Sequence, residues 1–202
     1  MREVRLSTPI PKEKVLDLQL MDIVYLSGKV YVVVSPQAHM LLLDAARKGL
    51  KLPFDLTNAV VYHCPALLKE SAGGYRLILV GSTTSSRFNP LAPEFIERFR
   101  ISGIIGKGGM DKATLEACKK YGCVYFSAIG GASPIYTKKV EGLTNVYWSD
   151  RLSIYEAILE IVVKDFGPLF VGMDAHGNSI YEQIQREVRQ NIPKIYQMLG
   201  IH

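Results

Sequence analysis

Apolar residues fall into short runs along the first half of the chain. Residues 22–34 (DIVYLSGKVYVVV) hold two such runs broken at Ser27-Gly28, which predicts two strands paired as a hairpin. Residues 39–48 place Leu42, Ala45 and Ala46 at helical spacing, with Gly49 as a stop, and predict a helix that His39 begins. Residues 58–64 (NAVVYHC) and 75–80 (YRLILV) read as two further strands, with Gly73-Gly74 turning the chain before the second.

The second half alternates between the two periodicities. Residues 93–99 form a short predicted helix with Pro93 in its first turn. A strand follows at 101–105, then a helix at 111–121 capped by Asp111 and stopped by Gly122. Residues 123–129 (CVYFSAI) give another strand, closed by Gly130-Gly131. Strand, helix, strand in that order implies a parallel crossover. Residues 157–163 and 169–173 read as two adjacent strands separated by Phe166-Gly167-Pro168. Asp174 to Asn178 reads as a turn, and Ile180, Ile184 and Val188 then mark one face of a helix that Pro193 breaks. The whole predicts an α/β domain with a mixed sheet, residues 1–202, without a visible linker.

Composition narrows the function classes. Hydrophobic content of 48% and charged content of 21% suit a globular core. No apolar run reaches the length of a membrane span, and the first residues (MREVRLSTPIPKEK) lack a secretory signal, so the expected location is the cytoplasm. The formal net charge is +5, but the basic residues are scattered, which points away from nucleic acid and toward small acidic ligands. Cys64, Cys118 and Cys123 are odd in number and form no CxxC; they read as buried small hydrophobes, not as a disulfide or cluster framework. His63 lies beside Cys64, but a second pair of metal ligands is missing, so no metal site is expected.

Three loops carry candidate chemistry, and each follows a predicted strand. Residues 81–87 (GSTTSSR) put four consecutive hydroxyls and Arg87 at a strand's C-terminal end, where α/β sheets bind ligands. Hydroxyls, backbone N–H groups and a guanidinium together suit a carboxylate. Residues 106–110 (GKGGM) combine backbone that can approach a ligand closely, the charge of Lys107 and a following helix N-terminus. Residues 129–133 (IGGAS) form the third loop. If these strands are neighbours, the loops converge on one rim. His39 follows a strand and is a further candidate; His176, in DAHGNS, reads as a turn residue. Tyr121, Tyr125, Phe126, Tyr147 and Trp148 read as core and subunit interface.

In order, GSTTSSR, IIGKGGM, AIGGAS, VYW and VKDFGPLFVGMDAHGNS resemble the β subunit, or C-terminal domain, of iron–sulfur class I fumarases and L-tartrate dehydratases, over residues 9–184. The resemblance implies a swivelling β/β/α fold and a partner α subunit that carries a [4Fe–4S] cluster, none of it held by this chain. It implies reversible hydration and dehydration of a small dicarboxylate (malate and fumarate, or alternatively tartrate) at a site between the subunits of a heterotetramer, with a homodimer possible for the isolated chain. A non-catalytic dicarboxylate-binding domain is the other reading. Through the family's Gly-Pro-Thr-Thr-x-x-Arg loop, the resemblance implies that Thr83 and Arg87 contact substrate, Thr84 beside them. Through its Lys-Gly-Gly segment it implies that Lys107 pairs with a carboxylate or with charge in the transition state. Thr83 is expected to position substrate, with proton transfer as a second role, because a threonine hydroxyl is a poor base unless activated. The chain departs from the family before Ala38-His39: an arginine usual there is absent, and Gln37 is the residue available to hydrogen-bond in its place.

Overall fold

Two long strands organise the structure, a computed structural model that describes residues 1–200. The chain opens with β1 (Glu3–Thr8), α1 (Lys12–Leu16), β2 (Ile23–Val32), α2 (Pro36–Arg47) and β3 (Val60–Tyr62). A hairpin of β4 (Ala66–Ser71) and β5 (Gly74–Val80) leads through a 3-10 turn (Ser85–Phe88) to α3 (Ala92–Phe99). Then come β6 (Gly103–Gly106), α4 (Lys112–Tyr121), β7 (Val124–Ala128), α5 (Ser133–Thr137), β8 (Val140–Tyr147), β9 (Ile158–Met173) and α6 (Ile180–Met198).

The main sheet has the order β1-β2-β3-β6-β7-β9-β8, and β2 also pairs with β9, so β2, β3, β6, β7 and β9 close into a barrel-like ring. The pairings β1–β2, β2–β3, β3–β6 and β6–β7 are parallel; β9 runs antiparallel to β2, β7 and β8. This is the mixed α/β sheet expected from the sequence.

Both glycine interruptions lie inside strands. Residues 22–34 do not form a hairpin: β2 runs through Gly28, pairing with β1 up to Gly28 and with β3 from Tyr31. Likewise both of the later apolar runs fall in one strand, β9 (Ile158–Met173), which pairs with β8 up to Val163 and with β7 from Leu169. Ser27-Gly28 and Phe166-Gly167-Pro168 thus mark where a long strand changes neighbour, with register shifts in the β2–β9 ladder. Gly28 has φ +110, and a Cβ there would lie 2.7 Å from the Thr8 carbonyl oxygen and 2.7 Å from Thr8 Oγ1. Gly28→Ala is therefore expected to destabilise the chain by about 1–3 kcal/mol, read as a lower urea midpoint. Gly142→Ala, which meets open space on β8, is the control expected to change little.

Alternation along the central strands builds two cores. Val60, Tyr62, Ile105, Val124 and Phe126 join Leu26, Leu159 and Val171 in one cluster. Val61, Ile104 and Tyr125 point the other way and join Ala38, Leu42 and Leu43 of α2, Phe95 and Ile96 of α3, and Leu115 and Cys118 of α4. The α4 ends follow the sequence: Asp111 Oδ1 accepts from the Thr114 amide at 2.9 Å, and Gly122 adopts φ +74. Helix α2 starts earlier than predicted. Ser35, not His39, caps it, its Oγ accepting from the Ala38 amide at 3.0 Å, with Pro36 in the first turn. Helix α6 continues through Pro193 and buries none of its residues, so water can serve the carbonyl that loses its partner to the proline. Among the described residues, no helix is long and apolar enough to cross a membrane.

Candidate anion-binding site

The loop after β5 is laid against the ends of β3 and β6. The Thr83 amide donates to the His63 carbonyl at 2.9 Å, just past β3. The Lys107 amide, just past β6, donates to the Thr83 carbonyl at 3.1 Å. The Ser85 amide donates in turn to the Lys107 carbonyl at 3.0 Å, completing a one-pair parallel bridge between Thr84 and Lys107. Two of the loops singled out by sequence are therefore joined by backbone hydrogen bonds at the C-terminal rim of the parallel strands.

Side chains complete the mouth. Arg87 Nη2 donates to Thr83 Oγ1 at 2.9 Å, and the guanidinium lies 5.6 Å from the Phe88 ring centroid. Arg87 and Thr84 are exposed, while Thr83 and Lys107 are half-buried. Among the described residues, neither Arg87 nor Lys107 forms an ion pair with a carboxylate. Lys107, whose backbone forms the bridge, and Arg87, tied to it through the Thr83 hydroxyl, are two cations without a carboxylate partner, and together they favour an anion. The helix N-terminus next to Lys107 adds less than expected, because the Asp111 side chain already accepts from the Thr114 amide and hydroxyl. The third loop reaches the first at Gly81: a Cβ there would lie 2.9 Å from Ser133 Oγ, and Thr137 Oγ1 accepts from the Val80 amide at 3.0 Å. Gln37 is exposed on the first turn of α2 and makes no hydrogen bond with Thr83, Arg87 or Lys107.

Beneath the mouth lies a buried polar network that the sequence did not signal. Ser85 Oγ lies 2.9 Å from His63 Nδ1 and accepts from the Tyr125 hydroxyl at 3.0 Å. With Tyr125 donating, the Ser85 proton is free to go to a neutral His63 Nδ1. Burial, then neighbouring His39 and the Arg87 charge, hold His63 well below the ordinary histidine range. Burial likewise pushes His39 down to about 4, while its Nδ1 sits 2.9 Å from the Ser35 carbonyl. Phe88 packs against both rings, 4.6 Å from His39 and 4.2 Å from His63 between centroids. His39 is thus part of the support under the mouth. His176 Nε2 lies 2.9 Å from the Leu16 carbonyl, and Asp174 accepts the His176 and Asn178 amides, so this segment is a structural turn.

The thiols do not suit an iron–sulfur cluster. Cys64 is buried in one core, its Sγ accepting from the Gly81 amide at 3.1 Å and its thiol pushed up to about 12 by burial. Cys118 and Cys123 are buried in the other core. Among the described residues no group of three or more His, Cys, Asp or Glu is arranged to hold a metal. A separate cleft of about 520 Å³ is lined by Lys29, Tyr31, Phe54, Tyr147 and Glu160. Its buried carboxylate is already saturated: Glu160 accepts from Thr144, Asn145 and Tyr147 and pairs with Lys29 at 3.2 Å.

Known proteins match this chain over nearly its whole length. The profile of the family described as Fumarase C-terminus covers residues 1–184. A Methanocaldococcus jannaschii protein, provisionally named L(+)-tartrate dehydratase subunit beta, is 39% identical over 95% of this chain and 96% of its own length. The Escherichia coli K12 L(+)-tartrate dehydratase subunit beta is 31% identical over 87% of this chain and 85% of its own. A Geobacillus stearothermophilus protein, provisionally named fumarate hydratase class I, is 36% identical over 92% of this chain, which spans only 35% of it. The chain therefore belongs to the fumarase C-terminus family, alongside tartrate dehydratase β subunits and class I fumarate hydratases.

Proposed function

We propose that this chain is the β subunit of a hydro-lyase that adds water to, or removes it from, a four-carbon dicarboxylate, and that it works only with an α subunit in the cytoplasm. The observation that carries this reading is the joined arrangement of Thr83, Arg87 and Lys107: one hydroxyl already bonded to a guanidinium, and a second cation on the adjoining backbone bridge. Arg87 supplies a planar pair of donors for one carboxylate, and Lys107 a point charge for the other or for charge that develops during reaction. The Arg87 hydrogen bond also favours negative charge on Thr83 Oγ1. It orients that hydroxyl against the reacting carbon and lowers the cost of a proton relay through it. Thr84 lines the rim beside them, and Gln37 is assigned the weaker role of an uncharged contact.

The [4Fe–4S] cluster belongs on the α subunit in this reading, since the thiols of this chain are buried in two separate cores. A heterotetramer is the proposed assembly. Malate and fumarate are the first substrate pair to test. Tartrate is the second, favoured by the two full-length relatives named as tartrate dehydratase β subunits. Co-expression with the α partner, followed by assays of fumarate hydration and tartrate dehydration, tests the proposal. Turnover of either by the complex, and of neither by this chain alone, is expected. A complex that binds α yet turns over neither would refute it.

A further inference from the structure

We infer that Ser85 is a positioning residue: held between His63 and Tyr125, it sets the spacing of Thr83 and Lys107 in the site. The inference deepens the proposed function and rests on it for its catalytic consequence, but not for its structural one.

Two strand ends and a side chain from a third strand converge on this one hydroxyl. His63 follows β3, Gly106 ends β6 and Tyr125 lies within β7. Ser85 is fully buried, and its Oγ contacts His63 Nδ1 at 2.9 Å and the Tyr125 hydroxyl at 3.0 Å. A Cβ on Gly106 would stand 1.9 Å from that oxygen, so the hydroxyl occupies the space a side chain at position 106 would need. The backbone of Ser85 donates to Lys107, while His63 accepts from Thr83 through its carbonyl. His63 thus grips both sides of Thr84, by backbone to Thr83 and by side chain to Ser85. The hydroxyls of the GSTTSSR loop divide their work accordingly: Thr83 turns to the mouth, and Ser85 turns inward and locks the loop to the sheet.

This arrangement makes the one-pair bridge stiff where a solvent-exposed loop would otherwise fray. Removing the hydroxyl leaves the His63 and Tyr125 polar atoms facing each other across a gap, buried and without their shared partner. Loosening by a fraction of an ångström at Thr83 or Lys107 is enough to cost turnover.

Two measurements decide the inference. In the isolated chain, Ser85→Ala should speed amide hydrogen exchange at Thr83 and Lys107 at least tenfold relative to Ile104 and Tyr125. In the α–β complex, the same variant should lower kcat about tenfold or more while KM for the dicarboxylate changes less than threefold, and Ser85→Cys should recover part of the loss. Thr144→Val on β8, which removes a part-buried hydrogen bond to Glu160 of β9, should lower the unfolding midpoint and leave kcat unchanged. Unaltered exchange at Thr83 and Lys107 overturns the inference whether or not the complex is active. So does unaltered kcat in an active Ser85→Ala complex. An inactive wild-type complex counts instead against the hydro-lyase reading, and the exchange result then decides the positioning role by itself.

Discussion

Replacing Arg87 by alanine is expected to lower kcat/KM of the α–β complex by about 10²–10³-fold. Two effects combine. A carboxylate loses a planar, charged pair of donors, and Thr83 Oγ1 loses the donor that orients it at 2.9 Å. Arg87→Lys should recover little, because a single ammonium cannot reach the carboxylate and the threonine with the same fork. Fold stability should change by no more than about 0.5 kcal/mol, since Arg87 is exposed and has no carboxylate partner among the described residues. Steady-state kinetics beside a urea titration separates the two quantities. A variant with full turnover and unchanged KM removes Arg87 from the site.

Acidification is expected to weaken the fold well before surface carboxylates titrate. His39 is buried neutral, its folded pKa about 4 against an ordinary value of 6.5, and His63 is shifted in the same direction. A base with a depressed folded pKa binds fewer protons folded than unfolded. Its stabilising contribution is complete above the unfolded pKa, near 6.5, and is lost as pH falls toward the folded pKa, near 4. For His39 alone the loss across that window is about 3 kcal/mol; His63 adds to it. Glu94, lowered to about 2 by hydrogen bonds from Arg47 and then Arg98, gives up its contribution only below about pH 4.5, so most of the histidine loss comes first. Urea midpoints at pH 7.5, 6, 5 and 4 should fall steeply through the histidine window, and His39→Gln should flatten the slope while lowering the midpoint at pH 7.5. A wild-type midpoint flat from pH 7 to 4.5 would contradict neutral burial of both rings.

The parts of this fold that were legible in the sequence are those with local causes. Asp111 and Gly122 bound α4 because a cap and a left-handed stop act within a few residues. The apolar runs of β3, β6 and β7 announced buried parallel strands. Gly28 and Gly167 misled because the same residue type serves a turn and a change of strand neighbour, and only the register of distant β1, β3, β7 and β8 distinguishes them. Polar or alternating strands such as β1, β4 and β8, exposed on much of their surface, gave no apolar run to read. At the site, the strand-end loops carrying Thr83, Arg87 and Lys107 were visible as hydroxyl- and glycine-rich segments. Their joining was not, since it depends on backbone bonds across the β3–β6 edge. Ser85, His63 and Tyr125 were hidden for the same reason: each looks like ordinary loop or core until the packing of three neighbouring strands brings them together.

The most direct test of a shared dicarboxylate mouth is a crystal structure of the α–β complex with a bound dicarboxylate. One carboxylate is expected to be hydrogen-bonded to the Arg87 guanidinium, with the Lys107 ammonium within ion-pair distance of the ligand and Thr83 Oγ1 against the carbon that reacts, all facing the α subunit. A ligand bound by α alone, with Arg87 and Lys107 turned to solvent, would contradict it.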